Sequence, residues 1–304
     1  MEEILIKSLG FIFIIFLGYT LKKIKFFDMT EYKTLVKIVM NITLPSVIIS
    51  GFVNFKKDNS LFLIILISLG LNIIYMLIGI FLSRNKSRDK KILYIINFPG
   101  YNIGNFSLPF IQSFLGDIGI VAACMFDIGN ALIVTGASYA VASAILNNKN
   151  KGELKEIIKK IATSAPLITY VIMLTMVFTK IPIPKMIETL AGTIGRSNSF
   201  LSMFLMGMML EIKFKREYFE NAGIIIIIRF IIACIASMFL YKYLPLTLEA
   251  RKVVAILIFS PLSSLAPIYT EKAGGNKEIS TFMGTFSIFL SLVVIIILIN
   301  VLIR

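Results

Sequence analysis

Apolar stretches of about twenty residues recur along the whole chain and constrain its fold more than any other feature. Residues 61–81, 223–240 and 286–303 are clear examples. A helix needs roughly 20 apolar residues to cross the hydrocarbon core of a bilayer. Because 57% of all residues are hydrophobic, the sequence predicts an all-α polytopic membrane protein whose surroundings are the lipid bilayer.

The basic residues that give the chain its net charge of +14 are also distributed as in a membrane protein. Lysine and arginine concentrate in short segments between apolar stretches, namely 22–33, 83–91, 147–160, 211–220 and 272–277. Basic loops remain on the cytoplasmic side of a membrane. We therefore expect these segments to face the cytoplasm, both termini to lie outside a cell inner (plasma) membrane, and nucleic acid not to be a partner.

The residues that several kinds of catalytic or metal site require are absent from the sequence. The chain has no histidine, and its two cysteines lie inside apolar stretches, so neither a zinc site nor a disulfide framework is expected. The sequence also lacks a Gly-x-Ser-x-Gly motif and paired membrane aspartates. We therefore expect no enzyme, no metal site and no cofactor.

The apolar stretches predict ten spans in two halves. The halves are 1–146 and 161–304, joined by a cytoplasmic linker at 147–160. Five spans per half make the two halves enter the membrane from opposite sides, which is the arrangement of an inverted repeat. The predicted spans are 4–21, 34–53, 61–82, 91–115, 117–146, 161–179, 184–210, 221–243, 250–272 and 277–303.

The fourth span is interrupted. It contains Pro99, Gly100, Gly104 and Pro109, and interior proline removes a backbone donor and breaks a helix. Backbone groups freed inside a bilayer need partners within the protein or in a wet cavity. The sequence therefore predicts a discontinuous helix and a binding site at its break.

The ninth span is interrupted in the same way, by Pro261 and Pro267. Superposing Pro267 on Pro109 places Gly274 on Gly116. The same superposition places Ser260 on Asn102, Ser263 on Asn105 and Thr285 on Asp127. We therefore expect the broken helices four and nine to cross near the bilayer midplane.

Three segments resemble the auxin efflux carrier family: Leu44-Pro45, the run from Asn102 to Pro109, and the run from Asp127 to Asn130. In the family's fourth-span pattern, approximately Asn-x-Gly-Phe/Tyr-x-Gly-Leu-Pro, Asn105 replaces the aromatic residue and Ser107 replaces the second glycine.

The resemblance implies a five-plus-five inverted fold like that of the bile acid:sodium symporters. It implies a scaffold of spans one, two, six and seven, and a moving core of spans three to five and eight to ten. It also implies a carrier of small organic anions such as malate, malonate or auxin. A homodimer through scaffold helices is compatible with this arrangement.

Polar groups at the breaks are suited to a carboxylate. Helix N-termini offer unpaired N–H groups, and side chains after each break could add hydrogen bonds. Alternatively, these side chains only satisfy the broken backbone. The candidate substrate-binding residues are Asn102, Gly104, Asn105, Ser107, Ser263, Ser264 and Arg196.

Asp127 and Asn130 lie within apolar span five. Intramembrane carboxylates face a cavity or a polar partner, and burial favours the neutral form. Asp127 is therefore either a proton-coupling group or a permanent partner that ties span five to the broken helix.

Two further charges are open to more than one interpretation. Arg229 lies about two turns from a basic loop, so we expect its side chain to reach the cytoplasmic interface. Glu271, beside Lys272, predicts a solvated ion pair. Alternatively, Glu271 with Thr270 and Thr281 would form a sodium site, for which the sequence signal is weak.

The preferred function is a secondary carrier of a small organic anion that works by elevator-type alternating access. Proton or sodium coupling stays open. The alternatives are a sodium-coupled carrier like the bile acid symporters and a channel-like facilitator.

Overall fold

The computed structural model describes residues 2–55, 58–146, 159, 162–212 and 216–303. Its first half contains eight helices, several of which continue through a short π-helical turn. They are α1 (Glu2–Lys23), α2 (Met29–Ile38), α3 (Leu44–Phe52), α4 (Phe62–Ser83), α5 (Arg88–Asn97), α6 (Leu108–Phe114), α7 (Gly116–Leu132) and α8 (Ser138–Ile145).

The second half contains seven helices within the described ranges. They are α9 (Ala165–Thr179), α10 (Lys185–Gly195), α11 (Ser197–Met209), α12 (Arg216–Tyr243), α13 (Leu248–Leu257), α14 (Ala266–Lys272) and α15 (Lys277–Leu302). Most of the predicted linker 147–160 lies outside the described residues.

Six helical segments of the described chain are long and apolar enough to cross a membrane. They confirm a polytopic α-helical membrane protein. The segments are Ile4–Lys23, Thr30–Phe52, Asn59–Ser83, Gly116–Ile145, Tyr218–Tyr243 and Lys277–Leu302. The other four predicted spans correspond to shorter helices or pairs of helices: α5 with α6, α9, α10 with α11, and α13 with α14.

The helix interruptions follow proline and glycine chemistry. Pro109 and Pro267 occupy the first turns of α6 and α14, where a missing N–H costs nothing because it has no helical partner. Pro99 and Pro261 lie in the non-helical segments before those turns. Gly136 gives a further kink between α7 and α8, with φ of 151°.

The helices pack in two neighbourhoods. In the first, α1 packs along α11, and α3 packs against α9 and α10. In the second, α4 packs on α5 and α7, α12 packs on α13 and α15, and α14 packs on α15. Helices α3 and α6 connect the neighbourhoods through contacts with α7 and α11, respectively.

Candidate functional site

The two interrupted helices meet at their breaks. Tyr101 and Leu262 form an isolated antiparallel bridge, and the Asn102 N–H donates to the carbonyl of Pro261 at 2.9 Å. The hydroxyl groups of Ser107 and Ser260 lie 2.6 Å apart. The structure therefore brings the breaks of spans four and nine together into one buried crossover.

Two asparagines hold the backbone of the first break. The Asn130 amide pairs with Tyr101 in both directions, accepting from its N–H at 2.9 Å and donating to its carbonyl at 2.8 Å. Asn72 Oδ1 accepts the Gly100 N–H at 2.6 Å. Gly100 has φ of +93°, a left-handed conformation that glycine adopts without a Cβ clash. Each of these buried backbone groups is therefore satisfied from a neighbouring span.

Serines satisfy much of the second break. Ser287 Oγ accepts the Leu262 N–H at 3.1 Å, and Ser263 Oγ accepts the Leu265 N–H at 3.2 Å. The Ser263 carbonyl accepts the Ala266 N–H at 3.1 Å. Three backbone N–H groups at the second break are therefore engaged within the protein. The half-buried Ser264 lies in the same turn.

Arg229 caps the first half of span four. The residue is only 7% exposed, and its guanidinium donates to the carbonyls of Phe98 and Gly100. The guanidinium lies 4.8 Å from the ring centroid of Tyr75 and 5.1 Å from that of Tyr101. The prediction that this side chain reaches the cytoplasmic interface is wrong, because carbonyls at the C-terminal end of α5 and two aromatic faces stabilise the cation inside the protein.

Asp127 is held from two sides. Its Oδ1 accepts from Asn130 Nδ2 at 3.1 Å, and its Oδ2 accepts from the Tyr170 hydroxyl at 3.0 Å. Gly104 lies against the same carboxylate, since a Cβ built on Gly104 would be 4.0 Å from Asp127 Oδ2. Asp127 therefore connects span five, the crossover and α9.

Asn102 and Asn105 follow the first break. Asn102 is 5% exposed, and its Nδ2 donates to the Met206 sulfur of α11 at 3.4 Å. The buried Asn105 Oδ1 has no hydrogen-bond partner among the described residues. An orphaned buried polar atom is costly, so a ligand that binds Asn105 would be favourable at this place.

Asn198, on a helix that packs against the crossover, also has a buried polar atom without a described partner. Asn198 Oδ1 accepts from the Thr43 hydroxyl at 2.9 Å, while Asn198 Nδ2 is buried and unpartnered within the described ranges. Thr43 precedes Leu44, which touches Gly104: a Cβ at Gly104 would lie 3.0 Å from Leu44 Cδ2. Unsatisfied amide atoms therefore occur on both the crossover and the helices packed against it.

Gln112 makes a second contact between α6 and the α10–α11 junction. Its Nε2 donates to the carbonyl of Gly195 at 3.2 Å, and its Oε1 accepts from Ser199 Oγ at 3.1 Å. Sequence reasoning missed Gln112, Tyr170 and Asn72 as part of the site. The signal available for Asn72 was a lone amide in an otherwise apolar span.

Arg196 is not brought to the crossover. It is exposed and lines a surface cavity of about 300 Å³ together with Asn54 and Glu188. The described contacts of this cavity include none of the residues at the two breaks.

The residues proposed as a weak sodium site do not share one environment. Thr270 is fully buried and accepts from Asn97 Nδ2 at 3.1 Å, whereas Glu271 is exposed and pairs with Lys277 at 2.7 Å. Glu271 therefore forms a solvated ion pair as predicted, but its partner is Lys277 and not the neighbouring Lys272. Within the residues that were searched, no group of three His, Cys, Asp or Glu side chains could hold a metal ion.

Interrupted helices that meet inside an apolar helical bundle are typical of membrane transporters. Residues 4–150 match the family model described as membrane transport protein. This match supports a membrane transporter of the auxin efflux carrier family, in agreement with the resemblance found in the sequence. The matched residues include the first break, Asp127 and Asn130. A comparison with curated proteins finds no match.

Proposed function

We propose that this transporter is a secondary carrier of a small organic anion, with a carboxylate as its binding group. The observation that carries the proposal is the Asn105 amide beside the crossover, whose buried Oδ1 has no described partner and would accept from a hydroxyl group of the substrate. The Asn105 amide also has two N–H donors suited to a carboxylate. The Arg229 guanidinium donates to the carbonyl of Gly100 in the same break.

The anion would bind between the crossover and the helices packed on it. Asn102, Gly104 and Asn105 form one wall, and Thr43, Asn198 and Met206 lie on the neighbouring helices. Ser107 and Ser263 serve the crossover backbone and the contact between the breaks. Ser264 stays a candidate ligand, whereas the exposed position of Arg196 suits a first encounter with anions from solution.

Ten spans in two inverted repeats give this site its symmetry. In support, Gly116 and Gly274 follow α6 and α14 at corresponding places, with φ of +60° and +84°. Each glycine takes the left-handed conformation that ends a helix. The matching turns agree with the superposition of Pro267 on Pro109.

Alternating access would move α4–α8 and α12–α15 as a core against a scaffold of α1–α3 and α9–α11. Several polar contacts of the described residues cross that boundary. They are Tyr170 with Asp127, Met206 with Asn102, Gln112 with Gly195 and Ser199, Asn54 with Asp117, and Glu211 with Thr285. None of these contacts is a salt bridge. We place the carrier in the plasma membrane with both termini outside, and dimerisation through the scaffold stays a prediction.

The test uses purified protein in two stages. A thermal-shift screen with malate, malonate, citrate, indole acetate and a bile acid, with and without sodium at two pH values, identifies a ligand because binding stabilises the folded state. Uptake of that ligand is then measured in liposomes. Asn105→Leu should abolish saturable uptake, whereas the exposed Asn41→Leu should retain it.

Each stage can overturn the proposal. Equal uptake by Asn105→Leu and wild type would remove the site from the crossover. Stabilisation by none of the anions would remove the substrate class. Dependence on a sodium gradient would favour the sodium-coupled alternative, and non-saturable flux would favour the channel.

A further inference from the structure

A small cavity lies beside the second break, at Ser260 and Leu262. Its volume is about 20 Å³, which is room for roughly one water molecule or one ion of similar size. The cavity lies between α4, α12, α15 and the segment from Ile258 to Leu262 that follows α13. The polar part of its lining comes from Tyr75, Arg229, Ser260, Ser287 and Ser291.

Arg229 is the charged residue of this lining. Its guanidinium has five N–H donors, and the two described hydrogen bonds go to the carbonyls of Phe98 and Gly100. No carboxylate in the described part of the chain forms a salt bridge with it. A buried cation without a counter-charge is costly, so the cavity beside it favours a negative occupant.

The other polar groups of the lining are hydroxyl groups, most of which already form hydrogen bonds. The Tyr75 hydroxyl donates to the Arg229 carbonyl at 3.0 Å, and Ser287 Oγ already accepts from Leu262. Ser291 is 3% exposed, and its hydroxyl is joined to no described residue by a hydrogen bond. A water molecule needs acceptors as well as donors, whereas an anion only accepts.

We propose that this cavity binds one monovalent anion of halide size, held by Arg229 and the Ser291 hydroxyl. The anion would neutralise the buried guanidinium while leaving its bonds to the first break intact. The site is separate from the proposed carboxylate site, since its lining contains neither Asn102 nor Asn105.

The test compares thermal unfolding of the purified protein in sodium chloride, sodium bromide and sodium gluconate at equal ionic strength. Chloride and bromide should raise the unfolding temperature by at least about 2 °C over gluconate, which is too large for the cavity. Ser291→Leu fills the cavity and should remove the difference while leaving the Arg229 hydrogen bonds in place. Ser197→Ala, an exposed serine variant, should retain it.

A crystal grown in bromide supplies the independent measurement. An anomalous peak beside Arg229 is the expected result. Equal unfolding temperatures in the three salts, a halide effect that persists in Ser291→Leu, or water alone in the bromide crystal would each overturn the proposal. None of these readouts requires transport, so failure of the carboxylate site would leave the result interpretable.

Discussion

The hydroxyl of Tyr170 donates a 3.0 Å hydrogen bond to Oδ2 of Asp127. The two residues belong to α9 and α7, and Asp127 Oδ1 accepts from Asn130, which itself binds the backbone of Tyr101. One chain of hydrogen bonds therefore runs from an outer helix to the break of span four. This chain of hydrogen bonds includes the Asp127 carboxylate, for which the sequence allowed either a proton-coupling role or a structural role.

Tyr170→Phe tests this chain. Tyr170 is 2% exposed, so removing its hydroxyl leaves Asp127 Oδ2 without its protein donor. Loss of a partner to a buried acceptor costs roughly 1–3 kcal/mol. We expect a matching decrease in the free energy of unfolding, measured by thermal or denaturant unfolding in detergent.

Tyr241→Phe is the matched control, because Tyr241 is half-buried in α12 and its side chain has no described hydrogen bond. That variant should unfold like the wild type. Equal stability of the two variants would show that the Tyr170 hydroxyl does not hold Asp127. If Asp127 also couples protons to transport, the pH dependence of uptake should change in Tyr170→Phe and remain unchanged in Tyr241→Phe.

The interruptions of spans four and nine were predictable, whereas the partners of the freed backbone were not. Proline and glycine act on their own turn of chain, so Pro99, Pro109, Pro261 and Pro267 are local signals. Arg229 receives its role from carbonyls 131 and 129 residues away. Hydropathy places Arg229 in a span but does not show which groups face it.

The contacts of some polar side chains could be predicted from the sequence, and those of others could not. Asp127 and Asn130 are three residues apart on one helix, so their contact follows from helix geometry. Tyr170 and Gln112 contact residues that are distant in the sequence and come close only in the folded protein. Ser263 was expected to face substrate, but its hydroxyl accepts from Leu265 two residues on, a local turn bond that serine commonly makes.

Asn130→Leu should damage the crossover more than any other single change in α7. Both atoms of its amide bind the backbone of Tyr101, and leucine leaves that N–H and carbonyl buried without these partners. At roughly 1–3 kcal/mol for each of the two groups, the expected loss of unfolding free energy is about 2–6 kcal/mol. Thermal unfolding in detergent measures it.

Asn300→Leu gives the comparison for this change. Asn300 is half-buried in α15, and its amide donates only to the carbonyl of Ile296 in its own helix. That carbonyl keeps its helical partner, so the variant should remain within about 0.5 kcal/mol of wild type. A similar loss in both variants would mean that the bond to Tyr101 contributes little.

Gly18 and Gly207 set the close approach of α1 and α11. A Cβ at Gly18 would lie 2.2 Å from the carbonyl oxygen of Phe204, and one at Gly207 would lie 2.0 Å from that of Ile15. Small residues let membrane helices approach this closely. Either Gly→Ala change must push the helices apart, and overpacking costs about 1–3 kcal/mol, which exceeds the gain of up to roughly 1 kcal/mol in helix propensity.

Gly10→Ala separates packing from propensity within the same helix. A Cβ at Gly10 meets no atom within 4 Å in the described structure, so this variant gains propensity without a clash and should be as stable as wild type or slightly more stable. We expect Gly18→Ala and Gly207→Ala to unfold at lower temperature than Gly10→Ala. Stability in the reverse order would show that α1 and α11 do not cross at these glycines. Because both helices belong to the proposed scaffold, separating them should also lower uptake.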